Sequence, residues 1–431
     1  MIRIRFVSWL GLLAIVLLPV FKMSFVPVSY SPPSLVPAAL LGIVFFFGSR
    51  GRVERADIAT ICFVLYVVLV SFIFLGVKNI GVERVLRGIL PVLAGLAAFL
   101  GFRYYFRFVS IDQYLSILRS VLKIVLFYGI FEIVALYLGI GGVFRDALAL
   151  ALSGNAGSRV QLFTSEASWA SLYLVFAFPL LGRLSWIYRG MWLLLFAATF
   201  SLYGFATLVI GLIGYRLLMG RSFTRTLFQV LLIGAGTLLV VYAVKLIVSN
   251  LASSGDLPYY LTRIIKLDEA PTVEASLLES LDGSVFVRIM YPVYAFLVSL
   301  SYPFGMGAAM YPYSFNDAMS WLPLNHVAYR NFEIMGDISS VSADPRNLYV
   351  GIYVMGGLVG LAYLIFMLNR VRRDFGLIKR FGSPAEKLVV LQLVLMGAAC
   401  LQFGSFAFVL LWIPLAAVLT ISRGIRMARH G

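Results

Sequence analysis

Apolar residues run along this chain in blocks of roughly 15–25 positions, the length of helix that crosses about 30 Å of hydrocarbon. The blocks cover 6–21, 35–48, 58–76, 89–102, 124–138, 169–181, 191–219, 226–248, 348–368 and 389–421. Short basic clusters separate them: Arg3 and Arg5; Arg50, Arg52 and Arg55; Arg103 and Arg107; Arg183 and Arg189; Arg216, Arg221 and Arg225; Arg370, Arg372, Arg373, Lys379 and Arg380; Arg423, Arg426 and Arg429. Positive residues accumulate on the cytoplasmic ends of spans, so an even number of crossings must separate successive clusters. Because basic residues flank 191–219 on both sides, that block predicts two short helices broken near Ser201-Leu202-Tyr203-Gly204, packed inside the bundle, in preference to one long tilted helix. The block 389–421 reads as another pair, pinched near Gln402-Phe403-Gly404-Ser405.

The pattern predicts an all-α polytopic membrane protein of about twelve helices with both termini cytoplasmic. Helices one to nine occupy 1–248, with an external turn around Pro27, Pro32, Pro33 and Pro37, an interfacial stretch through Arg119 and Lys123, and an external segment at 139–166. Residues 249–347 form a large external loop in which acids such as Asp256, Asp268, Glu274, Asp282, Asp317, Glu333 and Asp337 outnumber the basic residues. Its apolar run 285–302 contains Arg288 and Pro292 and reads as a helix lying on or dipping into the outer interface. Helices ten to twelve and a basic tail fill 348–431.

Composition agrees: 61% of the 431 residues are hydrophobic and 13% charged, and the mean hydropathy is +0.96. The net charge of +16 is distributed as orientation signals between spans and does not form a nucleic-acid footprint. Cys62 and Cys400 both fall inside apolar blocks, which excludes a disulfide framework for an external domain. The opening MIRIR and the block after it resemble a signal peptide, but no small-residue cleavage site precedes Lys22, so the reading is a retained helix.

In so apolar a chain, ionisable residues at the mouth of the bundle are functional candidates. The stretch 157–169, GSRVQLFTSEASW, places Arg159, Glu166 and Ser168 at the external start of a span. Ordinary capping explains part of it: Ser165 or Ser168 suits an N-cap, and a carboxylate suits the positive helix end. Arg159 and Arg288 each want an anionic partner, either a loop acid or the oxygens of a diphosphate held bidentately. His326, in the loop with Asp317, Glu333 and Asp337, is either a general base or a surface imidazole. The loop aromatics Tyr259, Tyr260, Tyr311, Tyr313, Trp321 and Tyr329 suit sugar rings and membrane interfaces equally. No metal-ligand spacing, acidic D-x-D pair, phosphate-binding G-x-x-x-x-G-K loop or G-x-S-x-G elbow occurs, which disfavours ATP hydrolysis and nucleotide-sugar donors.

Three blocks, Arg159…Phe163-Thr164-Ser165-Glu166-Ala167-Ser168-Trp169, then Asp282-Gly283-Ser284…Arg288…Pro303-Phe304-Gly305-Met306-Gly307, then Arg346-Asn347-Leu348-Tyr349…Gly356-Gly357-Leu358-Val359-Gly360, resemble the O-antigen polymerase and ligase superfamily in kind and order. The first block is more similar to the Wzy-type polymerases. The resemblance implies a GT-C-like fold and a metal- and cofactor-independent glycosyltransferase of the bacterial inner membrane. Such an enzyme joins undecaprenyl-diphosphate-linked repeat units at the periplasmic face during lipopolysaccharide or other surface polysaccharide biosynthesis. The partners it implies are lipid-linked glycan donor and acceptor, the bilayer, a chain-length regulator and a flippase. It assigns Arg159 and Arg288 to the diphosphate, with Ser168, Arg346, Asn347 and Tyr349 as further site candidates; the catalytic His it would supply is missing here, which leaves Glu166, His326 or no side-chain base at all for proton removal. Ligases of the superfamily carry a His-Asn pair before the tenth helix, where this chain has Arg346-Asn347. A transporter or lipid-linked sugar flippase is the rival class, since about twelve helices suit two six-helix halves; the long loop here is external and late, and the bundle offers little polar beyond Glu132, Gln229 and Gln402.

Overall fold

The computed structural model describes residues 2–20, 32–48, 53–78, 82–138, 160–164, 166–199, 201–220, 291–293, 295–308 and 346–430. Among them the regular structure is helical throughout: α1 (Ile2–Val16), α2 (Leu35–Gly48), α3 (Arg55–Lys78), α4 (Val82–Tyr105), α5 (Ile111–Tyr137), α6 (Ala167–Ala177, running into a 3-10 turn at Phe178–Arg183), α7 (Trp186–Ala198), α8 (Leu202–Met219), α9 (Leu348–Phe381), α10 (Pro384–Ala399) and α11 (Val409–His430). Further short helical segments lie at 291–293 and 295–299. Five stretches are long and apolar enough to cross a membrane, Arg55–Gly76, Val85–Tyr105, Leu202–Met219, Leu348–Phe381 and Val409–Arg429, and Arg5–Val16, Leu35–Gly48 and Trp186–Ala198 are shorter apolar helices. This is the construction of an α-helical membrane protein. The helix expected at 226–248, Arg159, Arg288, His326 and the loop aromatics named above lie outside the described residues.

Local chemistry explains where the long apolar blocks divide. The 191–219 block is two helices: α7 stops at Ala198, and Ser201 caps α8 by accepting the Gly204 N–H at 3.2 Å. The 389–421 block also divides, with an irregular connector at 400–408 between α10 and α11. The stretch through Arg119 and Lys123 differs from expectation, because it belongs to the single helix α5. A reciprocal capping box between Ser110 and Gln113 starts that helix early, and Lys123 settles over the Tyr188 ring, 5.3 Å from its centroid.

The interior is also organised differently. Packed on nearly every side is α6, where each residue except Ser168 is buried, whereas α7 and α8 expose Trp186 and Leu202. Residues Leu174 to Ala177 of α6 are fully buried in the same core as Leu208, Leu395, Met396 and Ala416 to Leu419. Small residues let other helices close up: a Cβ on Gly42 would meet the Ala97 carbonyl, so α2 and α4 run backbone to backbone.

The largest departure is in α9. Gly357 has φ 54° and ψ −135°, a conformation open to glycine alone, and the helix folds so sharply there that Gly360 lies against the Ile352 carbonyl. The segment 303–308 fills the break. Met306 N–H donates to Val354 O (2.9 Å), Gly307 N–H to Met355 O (3.0 Å), and Leu358 N–H to Pro303 O (2.8 Å). From α3, Ser71 Oγ accepts the Ala308 N–H (2.8 Å) and Tyr66 donates its hydroxyl to Phe304 O (2.7 Å). Three backbone groups beside the break, Val354 O, Met355 O and Leu358 N–H, are therefore recovered by a non-helical segment whose residues 305–308 are buried, in keeping with the need to satisfy irregular backbone at membrane depth. Residues 295–302 lead into this contact, with Tyr302 against Phe74 of α3 and Phe296 against Tyr353 of α9.

Candidate functional site

The two ends of the bundle differ in chemistry. At one end, where α3, the second half of α9 and α11 meet the end of α4, charged residues interlock. Arg103, 2% exposed, donates from Nε to Asp57 Oδ1 (3.0 Å) and from Nη1 to Thr420 Oγ1 (2.7 Å), and its Nη2 stands 2.8 Å from Glu54 Oε1, off the hydrogen-bonding direction. Arg423 reaches Glu54 at 3.2 Å and Arg370 reaches it at 3.6 Å; Arg370 and Arg426 also hold the buried Asp374 at 3.1 and 2.7 Å. Burial, with Arg103 and Arg423 alongside, lowers the pKa of Arg107 at the foot of α4, against the opposing pull of Asp57 and Glu54. Buried charges of this kind are paired internally and tie four helices together.

The first and third sequence blocks lie at the starts of α6 and α9, away from this charged end. The 160–164 segment is held from α5 by Glu132, 2% exposed, whose Oε1 accepts the Gln161 N–H at 3.0 Å and whose Oε2 accepts the Leu162 N–H at 2.8 Å. This grip fixes Leu162 at φ 54°, an unusual conformation for a branched side chain. The Thr164 hydroxyl is 2.6 Å from both the Gln161 and Glu166 carbonyls and donates into that pair. Phe163 stacks on Tyr128 of α5 at 4.0 Å between centroids.

Glu166 occupies the N-cap position of α6 in an extended conformation, but its side chain makes no capping bond. It is exposed, and Ser168 donates its hydroxyl to Glu166 Oε2 at 3.0 Å. The carboxylate is thus presented outward at the positive end of a helix, where negative charge is favoured. Behind it, the buried Ser171 hydroxyl contacts Ser168 O (2.7 Å) and Ser201 Oγ (2.9 Å), tying the start of α6 to the start of α8.

Across the mouth, α9 begins with Asn347, whose Oδ1 accepts the N–H groups of Tyr349 (3.0 Å) and Val350 (3.1 Å) while Nδ2 donates to Leu401 O (3.0 Å). Leu348 N–H donates to Cys400 O at 2.9 Å, and the Tyr349 hydroxyl donates to Gly397 O at 2.8 Å. Asn347 and Tyr349 act here as fasteners for the helix start. Arg346 is half-buried at φ 51°, close enough to Tyr291 to act on it electrostatically.

One connector joins both blocks. Residues 400–408 take the α9 start through Cys400 and Leu401 and take the α6 start through Phe403, whose ring meets Trp169 edge-on at 4.6 Å. The second block reaches the same helix lower down, where 303–308 docks in the break of α9. Of the sequence candidates, Glu166 and Ser168 lie at the start of α6 and Arg346, Asn347 and Tyr349 at the start of α9, two helix starts that the 400–408 connector joins; Arg159, Arg288 and His326 lie outside the described residues.

Sequence reasoning passes over Glu132 as a site residue, and over Glu54, Asp57 and Asp374. A lone acid in an apolar block is the available signal for Glu132; acids spaced i, i+3 and i, i+4 with basic clusters are the signal for the others. Comparison with models of known protein families and with curated protein sequences finds no match to this chain.

Proposed function

We propose that the protein is a bacterial inner-membrane glycosyltransferase that polymerises undecaprenyl-diphosphate-linked oligosaccharide repeat units into a surface polysaccharide at the periplasmic face. About twelve helices, the basic end in the cytoplasm and the mouth outside would give that arrangement. The reading is carried by one observation: two blocks that resemble the polymerase superfamily, at 160–169 and 346–349, are clasped by the same connector, and the third docks in the helix that one of them begins.

The chemistry suits such a mouth. A lipid-diphosphate donor carries its activation in the leaving group, so the protein has mainly to position two substrates and stabilise the departing charge. In this reading Arg159 and Arg288 hold the diphosphate. The acceptor hydroxyl attacks the anomeric carbon, the bond to the diphosphate oxygen breaks, and the proton passes to an acceptor. Glu166 supports that role because its carboxylate is exposed and uncommitted to capping, while Ser168 orients it by one hydrogen bond. Arg346, in place of the His of the ligases, favours polymer extension over transfer to a lipid core.

The test replaces Arg288 by Ala and by Lys and measures chain extension in membranes. The expected result is loss of long polymer with Ala and partial loss with Lys; unchanged polymer length at normal expression removes Arg288 from the mechanism. Supplying the same membranes with lipid-linked repeat or with lipid A core separates polymerase from ligase.

A further inference from the structure

The basic end contains more arginine than its acids neutralise, and the surplus is sorted to one side. Glu54, Asp57 and Asp374 are taken up by Arg103, Arg370, Arg423 and Arg426. Arg370 pairs with Glu54, which precedes the first turn of α3, so the residues of α9 beyond it run past the start of α3 while still packed on α11 through Asp374 and Arg426. On this extension Asp374, Phe375 and Ile378 are buried, whereas Arg372, Arg373, Lys379 and Arg380 are exposed. At about 100° of rotation per residue these four share roughly 120° of helix face. Among the described residues no carboxylate pairs with Arg372, Arg373 or Arg380. Phe381, exposed at the end of the strip, is flanked by Arg380 at 5.5 Å and Arg429 at 4.7 Å.

What precedes the strip identifies its partner. Leu358, Leu361, Ile365 and Leu368 are exposed on the same half of α9, spaced by three and four residues, and they fall on the face that Arg372 and Lys379 continue. An apolar stripe that passes without a gap into a row of unpaired guanidinium groups matches one molecule along its length: acyl chains against the leucines, phosphate against the arginines. We propose that this face of α9 is a binding site for an anionic phospholipid of the leaflet at the basic end, with Arg372, Arg373 and Arg380 on its headgroup. The site is separate from the mouth and does not depend on the activity proposed above.

The test uses the full chain in nanodiscs containing phosphatidylglycerol and phosphatidylcholine, with native mass spectrometry reading which lipid stays bound on release. The wild type is expected to retain phosphatidylglycerol in preference. The triple variant R372Q/R373Q/R380Q is expected to hold it about tenfold more weakly with phosphatidylcholine unaffected, and R372K/R373K/R380K to remain within about threefold of wild type, since charge is what the strip supplies. As a control, R55Q/R87Q removes exposed charge elsewhere and is expected to change nothing. The proposal is overturned if the wild type holds both lipids alike, if the glutamine triple keeps its preference, or if the control loses as much. It is overturned equally if the lysine triple loses as much as the glutamine triple, because that pattern marks a structural role for the guanidinium groups.

Discussion

Replacing Gly357 by alanine tests the broken helix most directly. Two costs combine. A non-glycine residue at φ 54°, ψ −135° is strained by about 1–3 kcal/mol. The added Cβ also falls against the Pro303 carbonyl and the Gly305 nitrogen, so the 303–308 segment must withdraw. Withdrawal forfeits the bonds Met306 to Val354, Gly307 to Met355 and Leu358 to Pro303, at about 0.5–1.5 kcal/mol each. The sum, about 2.5–7.5 kcal/mol, lies at or above the upper part of the usual range for a single substitution. Gly376 provides the comparison within the same helix: it is helical, nothing approaches its Cβ position, and alanine there gains about 0.5–1 kcal/mol of propensity. The assay is the half-life of the folded full-length chain in neutral detergent at a fixed elevated temperature, because membrane proteins of this size unfold irreversibly. G357A should shorten it steeply and G376A leave it equal or longer. If G357A matches G376A, the helix is continuous and the account of the break is wrong.

Three further outcomes follow from the site. Glu132→Gln leaves one of two backbone N–H groups without an acceptor, at about 1–3 kcal/mol, and should speed hydrogen exchange at Gln161 and Leu162; unchanged exchange there would remove the grip assigned to Glu132. Asn347→Ala should destabilise by about 0.5–2 kcal/mol from the cap alone, and N347D, which keeps the acceptor but lacks the donor to Leu401, should fall between it and wild type in thermal unfolding. Asp374→Ala strips the partner from Arg370 and Arg426 and should cost about 3–5 kcal/mol, measurable as a lowered unfolding midpoint that R426A does not add to fully.

Hydropathy and charge parity make most helices legible in the sequence, including the division near Ser201, because a run too long for one span and flanked by arginine on both sides has few solutions. The break at Gly357 is not legible in the same way. Gly356-Gly357-Leu358-Val359-Gly360 lies inside an uninterrupted apolar run, and what holds it open is backbone from 303–308, whose hydrogen-bonding groups every residue shares. The same reason conceals the grip of Glu132, since its partners are amide N–H groups and no side chain marks them. Acids within basic clusters disappear when those clusters are read only as orientation signals, although Glu54, Asp57 and Asp374 organise that end of the bundle. Asn347 and Tyr349 stand out by resemblance, but their side chains bind carbonyls of 397–401, a region that nothing in the sequence connects to them.

The connector at 400–408 also sets a timetable. It is synthesised after everything it clasps, and a ribosome adding about 5–20 residues each second reaches it only after the helices on both sides of the mouth have been made. Until then Trp169 has no Phe403 to meet and the start of α9 has no carbonyl from Cys400, so a chain stalled partway inserts its helices with an unfinished opening. Joining of the two helix starts is thereby coupled to synthesis of the last part of the chain.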